Sequence, residues 1–84
     1  MNPNRAEPAR PWLNIALDSR WSRESAPRGV YAYERDGLRV VVRPSGRVQM
    51  WRSAGGLALA DLSPEVPDVT VLLVILGIAE TCPI

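Results

Sequence analysis

The chain has 84 residues, with ten arginines against nine carboxylates, no lysine and no histidine. This length holds one domain, and a chain so short buries only about 60–65% of the surface its unfolded form exposes. A net charge of +1 excludes a strongly basic or acidic tail, and 46% apolar residues exclude disorder throughout.

The missing histidine removes the commonest general base and the commonest zinc ligand. The single cysteine, Cys82, excludes an internal disulfide and reads as a chance thiol with nothing to activate it. Charge is unevenly placed. Residues 1–52 hold all ten arginines and five acids, a balance of +5; residues 53–84 hold four acids and no arginine, a balance of −4. Such a division builds either an anion-attracting face or two halves that attract one another, and the second needs no partner. The all-arginine basic set is read as codon usage in a GC-rich genome before selection for guanidinium chemistry.

In chain order, residues 1–11 carry three prolines and no apolar run, which reads as a flexible arm and not a signal peptide. Residues 12–17 fit two patterns. Leu13, Ile15 and Leu17 alternate as in a strand, while Trp12, Ile15 and Ala16 fit a helix led by Pro11; the strand is preferred. Residues 18–28 are polar apart from Trp21 and read as a loop, with Trp21 either joining a surface or tucked into the core. Residues 30–35 and 38–43 are rich in strand formers and flank Asp36-Gly37, a two-residue hairpin turn. That loop sets Tyr31 opposite Val42, Tyr33 opposite Val40 and Glu34 opposite Arg39. Tyr31, Tyr33, Leu38, Val40 and Val42 then share one face.

Pro44-Ser45-Gly46 suits a three-residue loop, with glycine in the left-handed region. The choice follows from parity: it pairs Val42 with Val48, Val40 with Met50 and Arg39 with Trp51, whereas a two-residue loop would turn the apolar residues of 47–52 to the wrong face. Residues 53–56 read as a turn and 57–60 as a fourth strand, with Leu57 and Leu59 on the Val48/Met50 face. Residues 63–67 form a turn, Asp68 caps a helix and residues 69–80 form it, although their many β-branched side chains also suit a buried strand. The expected fold is α+β: a four-stranded antiparallel β-meander packed on an apolar C-terminal helix, with residues 12–84 as a single domain.

Residues 69–79 carry no polar side chain except Thr70. A helix apolar on every side needs cover on every side, and one sheet face supplies only half. At eleven residues the run is too short to cross a membrane, which takes about 20, so a cytoplasmic protein is expected. The second cover comes either from residues 12–21 or from a partner, a second copy of the chain being the simplest.

No spacing of acids or glycines suits a metal site, a cofactor or a phosphate loop, and no enzyme is expected. The outer parity of the meander displays Val30, Ala32, Glu34, Arg39, Val41, Arg43, Arg47, Gln49 and Trp51. Arg39, Arg43, Arg47, Gln49 and Trp51, joined by Arg20, Trp21 and Arg23 from the preceding loop, form the candidate partner-binding surface, since arginine and tryptophan anchor protein interfaces. Cross-strand pairing of Glu34 with Arg39, and stacking of Arg39 on Trp51, explain part of this surface without a partner. The expected function is a small protein-binding module, an adaptor or an inhibitor that occupies a larger protein's surface, as a virus-encoded inhibitor would. The alternative is a nucleic-acid binder using Arg39, Arg43, Arg47 and Trp51.

Overall fold

The computed structural model describes residues 9–81. Helix α1 (Pro11–Asp18) is followed by strands β1 (Ser22–Glu24), β2 (Tyr31–Arg35), β3 (Leu38–Val42), β4 (Val48–Arg52) and β5 (Ala60–Leu62), then by helix α2 (Asp68–Thr81). The strands form one antiparallel sheet in sequence order. Both helices contribute to the core on one sheet face, with Leu13 and Leu17 from α1 and Val71 and Ile75 from α2 meeting Tyr33, Val40, Val42, Val48 and Met50. The fold is α+β with a meander, as expected, but with five strands and not four.

The central hairpins have the expected register, from Tyr31 opposite Val42 to Arg35 opposite Leu38 and from Val42 opposite Val48 to Arg39 opposite Trp51. Asp36 and Gly37 have φ of 51° and 79°, the two left-handed residues of a type I′ turn. The three-residue loop is closed by hydrogen bonds from Gly46 N to the Arg43 carbonyl and from Arg43 N to the Arg47 carbonyl, both 2.9 Å.

Four expectations require correction. Residues 12–17 belong to a helix. Leu13 and Leu17, one turn apart, are buried while Ile15 is exposed, which the strand pattern does not allow. The helical choice also puts Asn14 on the buried face, where its amide finds partners.

Within the expected loop 18–28, Ser22–Glu24 forms an edge strand. Its inward residue is Arg23, whose guanidinium lies 4.9 Å and 5.8 Å from the ring centroids of Tyr31 and Tyr33. An arginine stem and cation–π contact replace the apolar side chain that would have marked the strand in sequence.

The last strand lies at 60–62 and not 57–60. Ala60 and Leu62 face Met50 and Val48, and Asp61 faces outward. The expected parity, carried on to residue 61, would have turned the Asp61 carboxylate into the core. Leu59 packs against the core before the strand begins, and Leu57 is 92% exposed.

Finally, of the segment expected to be an arm, residues 1–8 lie outside the described residues, as does Cys82, while Arg10 is buried and Pro11 opens α1.

Arg10 is the main polar tie of the fold. Its Nε donates to the Gly46 carbonyl (2.7 Å), Nη1 to the Val66 carbonyl (2.7 Å) and Asp68 Oδ1 (2.5 Å), and Nη2 to the carbonyls of Ser63 and Pro64 (3.2 and 3.1 Å). The Arg10 carbonyl accepts from the backbone N (3.0 Å) and Nδ2 (2.9 Å) of Asn14, whose Oδ1 accepts from the Tyr33 hydroxyl at 2.5 Å. The network runs from the start of α2 through α1 into the sheet, and among the described residues no buried side-chain polar atom is left unpartnered. Gly46 sits at φ 95°, in the left-handed region that the turn requires and glycine permits.

Two outcomes follow from this network. Arg10→Ala leaves four carbonyls and Asp68 without their donor, and urea denaturation is expected to show a loss of about 2–4 kcal/mol, with Arg10→Lys recovering only part because an ammonium lacks the fork.

Burial, reinforced by the Asp18 charge and opposed by Arg23, pushes the Tyr33 hydroxyl from its ordinary 10 up to about 12. The neutral phenol thus favours the folded state below pH 10, and that contribution disappears as pH rises through 12. In an absorbance titration the wild type is expected to show a tyrosinate step near pH 12 that Tyr33→Phe lacks.

Candidate partner-binding cleft

The outer sheet face, away from the helices, is not flat. A cleft of about 610 Å³ lies on it, with Ala32 of β2 and Val41 of β3 as neighbours on its floor. These two are only 7% and 9% exposed although no helix covers them. Val30 extends the apolar floor, residues 24–27 wall one side, and Trp51, Arg52, Ser53 and Gly55 wall the other. The wall at 24–27 exists because β1 pairs with β2 and carries the chain past the sheet edge.

Parity along β3 sets Arg39, Val41 and Arg43 in one outward row. Arg39 does not pair with Glu34, its cross-strand neighbour. It reaches over β2 to Glu24, with Nε to Oε1 at 2.9 Å and Nη2 to Oε2 at 3.5 Å. The small Ala32, opposite Glu24 in β2, leaves room for that crossing. Glu34 instead accepts from Gly37 N (3.3 Å) and Ser53 Oγ (3.4 Å). Arg43 Nε donates to Gln49 Oε1 at 2.8 Å, so a neutral amide holds this guanidinium. Arg23 makes cation–π contacts with the two tyrosines, and Arg39 makes none with Trp51.

Of the residues singled out from sequence, Arg39, Arg43 and Trp51 meet at the cleft, and Gln49 stands behind Arg43. Arg47 lies further along the same face, its Nη1 paired with Asp61 Oδ1 at 2.7 Å. Arg20, Trp21 and Arg23 are not brought to this surface. Trp21 is a core residue, the inward alternative raised for it, and Arg20 is exposed beside the helices, lining a smaller cavity of about 230 Å³ with Leu72 and Leu76. Arg23 lies on the inner side of β1, held by Asp18 through Nε–Oδ1 at 3.2 Å and Nη2–Oδ2 at 3.1 Å, and this pairing raises its pKa above the ordinary value.

Sequence reasoning missed Glu24, Arg52 and the 24–27 wall as parts of one site. A signal for the floor was present: Val30, Ala32 and Val41 are apolar at outward parity, where a solvated sheet face carries polar residues.

Among the described residues no three His, Cys, Asp or Glu side chains gather as a metal site would require. No helix among them is long and apolar enough to cross a membrane. No protein-family model matches the chain, and neither a curated protein nor a solved structure matches it.

Proposed function

We propose that the chain is a non-enzymatic, cytoplasmic protein-binding module, an adaptor or inhibitor that seats part of a larger protein on the outer face of its sheet. The observation that carries this reading is the cleft itself. Its floor is apolar and nearly dry, its rim offers Trp51 and arginines, and it lies on the face the fold's own core does not use. An apolar floor with a few fixed polar groups is the usual make-up of a binding cleft, and aromatic and arginine anchors dominate interface energetics. The nucleic-acid alternative has less support. Asp61 and Glu24 neutralise Arg47 and Arg39, and Trp51 is the one aromatic ring of this face, where base-stacking sheets use two or three. In a pull-down from the cell of origin, the wild type is expected to retain a stoichiometric protein partner and Trp51→Ala at least 10-fold less. An electrophoretic shift of a single-stranded oligonucleotide at low salt, lost in Arg43→Ala, would replace this reading with the nucleic-acid one.

A second surface supports pairing of the chain with a copy of itself. Val69 and Leu73 of α2 remain 59% and 65% exposed, and Trp12 and Ile15 of α1 are exposed as well. Together these four side chains expose on the order of 400 Å² of apolar surface, which association of two copies would remove from water. Residues 69–79 carry no charge, so two copies meeting about a two-fold axis bury no unmatched ion there. Sedimentation equilibrium is expected to show a dimer that Leu73→Glu weakens by about 100-fold or more, since the change acts twice at a symmetric interface.

A further inference from the structure

We infer that the segment bound in the outer cleft carries a side-chain carboxylate, and that Arg43 is its seat; this rests on the cleft being the partner-binding surface proposed above. Three arginines and one carboxylate line the cleft. That carboxylate, Glu24, is engaged through both oxygens by Arg39, so this pair needs no outside ion. Arg43 is different. It has no carboxylate within ion-pairing distance among the described residues, and the side chain it meets there is the neutral Gln49 amide.

The Gln49 contact engages the Nε of Arg43 and holds the guanidinium in place, which leaves its two Nη groups to donate. A guanidinium already positioned loses less freedom on binding and presents parallel donors to a carboxylate. Val41 precedes Arg43 by two residues on the same face, so apolar floor and cation lie about 6.8 Å apart along β3. An extended partner segment repeats that distance between its own residues i and i+2. The occupant is therefore an extended stretch of a partner protein with an aliphatic residue over Ala32 and Val41 and Asp or Glu two positions away, over Arg43.

The probe is the capped peptide acetyl-Leu-Ser-Glu-amide, with acetyl-Leu-Ser-Gln-amide as its neutral match, titrated into the full chain and followed by backbone amide shifts. The Glu peptide is expected to move the signals of residues 41–43 and 49–51 and to bind about 5–10-fold more tightly than the Gln peptide. Arg43→Gln, an exposed change expected to leave thermal unfolding as in the wild type, should bring the two peptides to equal affinity. Equal affinity for the wild type, no shift at these residues, or a preference that survives Arg43→Gln each overturns the carboxylate seat. The pull-down separates the two claims: a partner lost with Trp51→Ala but retained by Arg43→Gln leaves the binding module standing and removes this inference.

Discussion

A single buried guanidinium holds the layers of this protein together. Arg10 sits at the start of α1, yet its donors serve the turn before α2, the first carboxylate of α2 and the loop between β3 and β4. Carbonyls in irregular backbone have no helix or ladder to satisfy them, and burying them unpaired is costly. An arginine fits because its planar fork of five N–H groups reaches several such oxygens at once, as a lysine could not. Through Asn14 and Tyr33 the same network enters the sheet, so the placement of both helices and the alignment of the central strands share one set of hydrogen bonds. In a chain of this size, where hydrophobic burial leaves little surplus, such a tie contributes a large share of what specifies one arrangement.

The uneven charge of the two halves acquires a structural meaning here. Arg10 pairs with Asp68 and Arg47 with Asp61, each joining the basic first part of the chain to the acidic second part. Much of the positive excess is thus spent inside the molecule. What is left for the outer sheet face is local: Arg43, beside a dry apolar floor.

The helical layer shows the limits of self-cover in so short a chain. An apolar helix with no polar stripe has no orientation in which one sheet face satisfies it. Helix α1 supplies part of the remaining cover, because its own buried stripe of Leu13 and Leu17 brings it down on the same sheet face as Val71 and Ile75. Val69 and Leu73 stay exposed all the same.

The alternating residues of 30–52, with Asp36-Gly37 and Pro44-Ser45-Gly46 between them, determined the two central hairpins, their register and the outward row of Arg39, Val41 and Arg43. Strand periodicity and turn geometry are local, and a slip of one residue would turn every side chain to the other face. The apolar run of 69–79 likewise announced a helix in need of more cover than the meander offers. Tertiary structure alone decided the rest. The edge strand at 22–24 carries an arginine over two tyrosines, the last strand keeps Asp61 facing outward, and residues 11–18 are a helix whose Asn14 accepts from Tyr33 of the sheet. Arg10 is buried for a like reason: the oxygens it serves lie 36 to 58 residues away in the chain. Each of these depends on groups distant in sequence and adjacent in space, and no local pattern records such a meeting.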